Sequence, residues 1–160
     1  MSAQPLSLVH VVRPPGAGGP GPHPTLLLLH GRGADEQDLL GLADELDQRL
    51  YVVSARAPLT LGAGFAWYHL LDIGNPDLAS FNASLEALTR FVGQLPSEYP
   101  VDASRIYTLG FSQGAMMAGS LLLVQPGLPA GTAMLSGSLP LTAGIPIDQQ
   151  GIVSRPVFVG

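Results

Sequence analysis

Five short apolar runs, separated by stretches of helical spacing, set the pattern of this chain. Thr25-Leu26-Leu27-Leu28-Leu29 is apolar without alternation, which predicts a strand buried on both faces of a parallel sheet, and 51–53, 105–109, 132–135 and 156–159 repeat that character. Over 36–50, Leu39, Leu42 or Ala43, Leu46 and Leu50 fall on one helical face, with Asp35 positioned to cap the first turn and Arg49 near the last. The spacing of Phe81, Leu85, Leu88, Val92 and Leu95 predicts a second helix, with Ser80 as its cap and Pro96 as its stop. The residues after Ser112 are apolar nearly all round, as in a helix packed centrally against a sheet. Strands alternating with helices indicate right-handed β-α-β units, so the expected class is α/β with a mostly parallel sheet flanked by helices. Residues 7–12 alternate loosely and run into the Pro- and Gly-rich 14–22, so 1–24 reads as an edge strand, folded as a hairpin, and a connector.

Composition narrows the function classes. At 160 residues the chain is one domain at most, 1–160, and large enough to bury a sizeable core. A net charge of -5 with seven scattered arginines leaves no basic stripe, so nucleic acid is set aside as a partner. Residues 106–147 carry no formal charge, but Gln113, Gln125, Pro126, Pro129 and several glycines interrupt them, so no membrane span is expected. Residues 1–15 lack the features of a secretory signal, which makes the cytoplasm the default location. The absence of cysteine excludes disulfides, thiol catalysis and thiolate metal sites.

The chemistry concentrates at Gly110-Phe111-Ser112-Gln113-Gly114, where a strand, a turn and a helix meet at one serine. Such a turn forces the serine into a strained backbone conformation, and the positions two before and two after it must be small. A serine hydroxyl needs a base, a group that orients the base, and donors for the oxyanion formed on attack. One donor in such a site is the N–H of the next residue, Gln113, and the other comes from the turn after an earlier strand, here Leu29-His30-Gly31-Arg32-Gly33, with the N–H of Arg32.

Rival readings are weaker. Gly31-x-Gly33 could open a dinucleotide fingerprint, but Glu36 stands at the third glycine position and would repel a pyrophosphate. Asp35, Glu36 and Asp38 could suggest a metal, yet acidic residues are favoured in a first helical turn anyway, and neither metal nor cofactor is expected. Phe65, Trp67 and Tyr68 could line an acyl or alcohol pocket or could pack their loop onto the sheet. Met116 and Met117 read as core, and His10, His23 and His69 as solvated surface residues.

Leu29-His30-Gly31-Arg32-Gly33-Ala34-Asp35-Glu36, Arg105-Ile106 and Gly110-Phe111-Ser112-Gln113-Gly114-Ala115 together resemble the phospholipase/carboxylesterase family of α/β-hydrolases, which includes the acyl-protein thioesterases. The resemblance runs from about Thr25 to Gly160 and includes Phe65-Ala66-Trp67-Tyr68 and Leu135-Ser136-Gly137. It implies Ser112 as nucleophile, Arg32 and Gln113 as oxyanion-hole amides, His30 as a structural imidazole, and cofactor-free hydrolysis of a small-molecule carboxylic ester or thioester. It also implies a triad aspartate just after the strand at 156–159 and a histidine after one further strand. On that pattern the chain is a C-terminally truncated domain, on the order of 50 residues short and lacking the last strand and closing helix. A non-catalytic remnant is then the rival reading, and the open sheet edge at 156–159 suggests self-association.

Overall fold

The computed structural model describes residues 6–139, 141 and 144–160, so the first five residues of the expected 1–24 segment lie outside the described residues. The strands β1 (His10–Arg13), β2 (His23–Leu29), β3 (Tyr51–Ala55), β8 (Val101–Phe111), β9 (Gly131–Leu135) and β10 (Val157–Val159) form one sheet in the order β1-β3-β2-β8-β9-β10. All pairings are parallel except that of β1 with β3. The expected hairpin is therefore corrected: β1 lies beside β3, because the crossover after β2 returns β3 to the free edge of β2 and leaves β1 outside it. Pro24, which has no N–H to give the ladder, falls where the β2–β8 register shifts between His23 and Thr25.

Between β3 and β8 the chain makes two small hairpins, β4 (Leu59–Leu61) with β5 (Gly64–Ala66) and β6 (Leu70–Asp72) with β7 (Asn75–Pro76), and then helix α2 (Leu78–Glu98). The face of α2 is the expected one, with Phe81, Leu85, Leu88, Val92 and Leu95 buried and Phe91 beside them. Its cap is Asp77, whose carboxylate accepts the N–H of Ser80, and Pro96 sits within the last turn. The expected Ser80 cap and Pro96 stop are corrected accordingly. Asp77 extends the helix by three residues at its start, and proline costs little near a helix end, where the carbonyls it affects are already leaving the regular ladder.

The expected helix over 36–50 is reduced to α1 (Leu40–Ala43). Asp35 closes a local turn onto the N–H of Gln37, and successive bonds from Leu40 to Gln37, Leu42 to Leu39 and Asp44 to Gly41 run three residues apart, not four. Gly41 adds backbone freedom at the centre, and Gln48 Nε2 donates to the carbonyls of Asp44 and Leu46. The buried face is consequently Leu40 and Ala43, while Leu42 and Leu46 are exposed.

The two sides of the sheet differ. Leu27, Leu29, Val53 and Ile106 form the main core with α2 and with α3 (Gln113–Val124), whose surface is buried almost all round. On the other side α1 covers Leu26, Leu28 and Val52. Tyr107, Phe111 and Phe158 remain exposed there, and a depression of about 340 Å³ runs between β8, β9 and β10. Among the described residues no helix is long and apolar enough to cross a membrane.

Candidate active site

The last residue of β8, Phe111, leads directly into Ser112, which precedes α3 with φ 53° and ψ -115°. A non-glycine residue at such angles costs about 1–3 kcal/mol and persists only where its surroundings impose it. Here the surroundings are backbone. The N–H of Ser112 donates to the carbonyl of Leu135 at 2.9 Å, tying the turn to the end of β9. A Cβ at Gly110 would lie 2.5 Å from the nitrogen of Ala115, and one at Gly114 would lie 2.6 Å from the carbonyl oxygen of His30. Strand, turn and helix approach each other so closely that only glycine fits.

Ser112 is half-buried and opens on a cleft of about 460 Å³. Arg32, Gln113, Tyr68 and Met116 line the same cleft. Among the described residues neither the Ser112 hydroxyl nor the backbone N–H of Arg32 or Gln113 has a hydrogen-bond partner. The side chain of Gln113 is fully engaged: its Oε1 accepts the N–H of Trp67 at 3.0 Å and its Nε2 donates to the carbonyl of Tyr68 at 3.0 Å. The elbow thereby fixes the loop that follows β5.

His30 stands at the base of the Arg32 turn and is completely buried. Its Nε2 accepts the N–H of Ala57 at 3.0 Å, so the ring proton is on Nδ1, which donates to the carbonyl of Gly31 at 2.7 Å. Burial holds its pKa below the usual imidazole value, outweighing the carboxylates of the neighbouring turn. With both nitrogens used, this ring orders the loop and has no lone pair to offer Ser112.

The three aromatic residues separate. Tyr68 lines the cleft; burial pushes its phenol up to about 12, and its hydroxyl points at Met116 Sδ, 2.7 Å away. Trp67 is sealed from solvent and donates Nε1–H to the carbonyl of His30 at 2.9 Å. Phe65 lies under the guanidinium of Arg56, 4.5 Å from its ring centre, on a separate depression. Met117 is core, while Met116 packs partly buried against that core and also lines the cleft. The surface reading of the histidines holds for His69 alone: His23 is buried, and His10 is partly buried between the carbonyl of Leu8 and the hydroxyl of Tyr99.

Ser136, Gly137, Ser138 and Gly160 also line the cleft. Of these, only Leu135-Ser136-Gly137 carried a sequence signal, as part of a resemblance. Ser136 shares the left-handed φ of Ser112, at 52°, and its N–H donates to the carbonyl of Gly160 at 2.7 Å. Among the described residues no cluster of three or more His, Asp and Glu could hold a metal ion. Glu36 is instead bound through both oxygens by Arg56, which holds its carboxyl below the usual carboxylate range.

The chain's sequence from 17 to 158 matches the family model described as phospholipase/carboxylesterase. Among curated relatives, MhqD of Bacillus subtilis is 26% identical over 84% of this chain and 66% of its own length. Acyl-protein thioesterase 1 of Debaryomyces hansenii is 27% identical over 64% of this chain and 48% of its own. The chain thus spans from about half to about two thirds of the length of these relatives. Among solved structures, the carboxylesterase of Bacillus cereus superposes with a TM-score of 0.83 at 28% identity, covering 95% of this chain and 69% of that one.

Proposed function

This chain belongs to the phospholipase/carboxylesterase family, and from that premise we propose that its site is built for acyl transfer from carboxylic esters or thioesters to Ser112. The observation that carries the reading is the strained Ser112 elbow opening on a cleft shared with Arg32 and Gln113, whose backbone N–H groups are free among the described residues. In the proposed step Ser112 Oγ bonds the acyl carbon and its proton passes to a base. The carbonyl oxygen takes the negative charge against the two N–H groups, and the alkoxide or thiolate leaves with a proton. Water then releases the carboxylic acid. Tyr68, Met116 and Leu70 offer the acyl or alcohol group an apolar wall.

The family's pattern assigns the base and its orienting carboxylate to positions after the strand at 156–159. On this reading the chain is acylated at Ser112, with the two N–H groups meeting the negative charge as it develops. A second reading, binding without catalysis, is favoured by the described residues that line the cleft, none of which is a histidine. Treatment with an alkyl fluorophosphonate separates the two readings. Acyl transfer requires a stoichiometric adduct at Ser112, found by intact mass and peptide mapping and lost in Ser112→Ala. An unlabelled chain, or equal labelling of Ser112→Ala, refutes it.

A further inference from the structure

The turn that carries Arg32 has no secondary structure of its own, yet its N–H must hold a fixed position if it is to meet a developing oxyanion. Three sets of contacts converge on it from outside. Below it, His30 is pinned to the N–H of Ala57. Along its flank, Gly33 donates to the carbonyl of Phe65 at 2.7 Å and Phe65 donates to that of Ala34 at 2.9 Å, a two-bond bridge between the turn and β5. The approach is close: a Cβ on Gly64 would lie 3.0 Å from the carbonyl oxygen of Ala34 and closer still to that of Gly33. At its exit, the Glu36 carboxylate is buried and gripped by Arg56, with Nε to Oε2 at 2.6 Å and the terminal nitrogen to Oε1 at 2.5 Å. The same guanidinium rests on the ring of Phe65.

We propose that Arg56 and Glu36 are positioning residues for the Arg32 amide, a planar brace that locks the turn after β2 against the β5 hairpin; the inference rests on the acyl-transfer reading above. Arg56 follows β3 directly, and its own N–H is fixed to the carbonyl of Val9 at 2.8 Å, so the brace is anchored in the sheet. A bidentate guanidinium fixes the plane of a carboxylate as well as its distance, and stacking on Phe65 fixes the plane of the guanidinium. Glu36, only four residues after Arg32, transmits that geometry through a short segment whose other end is held at His30. The Arg56 side chain is 33% exposed and that of Glu36 only 8%, so solvent screens the pair on the guanidinium side alone, and its bidentate geometry makes orientation its role.

The test uses the whole 160-residue chain and an alkyl fluorophosphonate, whose phosphoryl oxygen occupies the oxyanion position as Ser112 Oγ bonds phosphorus and fluoride departs. Time courses by intact mass give kinact and KI for the native chain, Arg56→Ala, Glu36→Gln, the double variant and Arg56→Lys. Removing one oxyanion donor costs about 10²–10³-fold, so loosening one should lower kinact on the order of tenfold with KI little changed. The double variant should be no slower than either single, and Arg56→Lys should recover part of the loss. Unchanged kinact in Arg56→Ala and Glu36→Gln overturns the brace while leaving Ser112 chemistry intact. So does a loss of labelling that follows the fall in melting temperature and spares the rate of the folded fraction. A native chain that takes no label refutes the acyl-transfer reading itself. If Arg56→Ala does not fold, Glu36→Gln, which preserves side-chain volume, supplies the same comparison.

Discussion

The substitution Gly114→Ala isolates the contact on which the elbow depends. Its methyl would lie 2.6 Å from the carbonyl oxygen of His30 and closer still to that of Leu29, well inside the 3.4 Å at which ordinary contact begins. Both obstructing atoms belong to the backbone at the end of β2, so no rotamer can swing away and either α3 or the Arg32 turn must shift. Inserting a methyl group into packed surroundings costs about 1–3 kcal/mol, and a purely backbone obstruction belongs at the upper end. Alanine regains up to about 1 kcal/mol of helix propensity, leaving a net destabilisation of about 2 kcal/mol. Gly93 provides the control: it is an exposed position in α2 with nothing within 4 Å of a built Cβ, so Gly93→Ala should stabilise by about 0.5–1 kcal/mol. Urea unfolding of the two variants should thus differ by about 3 kcal/mol for one chemical change.

Reactivity extends the test from packing to chemistry. A displacement of about 1 Å at a reacting centre can cost about 10²-fold, and the obstruction at Gly114 falls between the two segments that supply Ser112 and Arg32. Fluorophosphonate labelling of folded Gly114→Ala should therefore slow by one to two orders of magnitude, while Gly93→Ala labels at the native rate. Equal unfolding midpoints for the two variants, or native labelling of Gly114→Ala, would show that the close approach is not what holds the elbow.

Two further outcomes follow from other parts of the molecule. His30 is buried in its neutral form with its pKa depressed from 6.5, so the unfolded chain binds more protons than the folded one as pH falls below that value. Stability should drop from pH 6.5 downward until the folded-state pKa is passed. Urea midpoints should record that slope and His30→Gln should remove its share, whereas an unchanged slope in the variant contradicts the assignment. At the sheet edge, Val157, Phe158 and Val159 are all exposed beside the bare Tyr107 and Phe111, so the chain should self-associate, and Phe158→Lys should lower its weight-average mass in sedimentation velocity. A native chain that remains monomeric as concentration rises speaks against this edge as a contact.

Much of the architecture was legible because buried parallel strands are written as unbroken apolar runs; β2 and β3 needed nothing else. Likewise α2 could be read from five apolar positions at helical spacing, although two cap-competent residues, Asp77 and Ser80, lie three apart and only the structure chooses between them. The segment 36–50 misled for a definite reason. Its leucines have helical spacing, but Asp35, Asp47 and Gln48 satisfy backbone or neighbouring polar groups locally, and Glu36 is drawn away to Arg56, so the regular ladder loses to turns. Around the cleft, Ser112 and the Arg32 turn were visible because each is a local motif. Met116, Leu70 and Gly160 were not, since they arrive from α3, from β6 and from the residue after β10 and carry no pattern that marks where they meet. The separate fates of Trp67 and Tyr68, adjacent in sequence, were decided by the side chain of Gln113, a long-range contact without a sequence signature.

The distribution of constraint over the sheet bears on what the described part of the chain can do. Ser112 is held by β8 through Gly110, by β2 through the approach of Gly114 to His30, and by β9 through the bond to Leu135, so three adjacent central strands each fix one side of the strained residue. A Cβ at Gly137 would meet Ala115 Cβ at 2.5 Å and the Ser112 carbonyl at 2.9 Å, which closes the fourth side. Strain of about 1–3 kcal/mol at one residue is sustained because releasing it would disturb all of these contacts together. The bare face around Tyr107 and Phe158 lies on the opposite side of the sheet from α3 and takes no part in that enclosure. Reactivity toward a phosphonate should accordingly be insensitive to Phe158→Lys even where the assembly state changes, and a labelling rate that falls in step with dissociation would mean that the elbow draws its rigidity from association and not from its own strands.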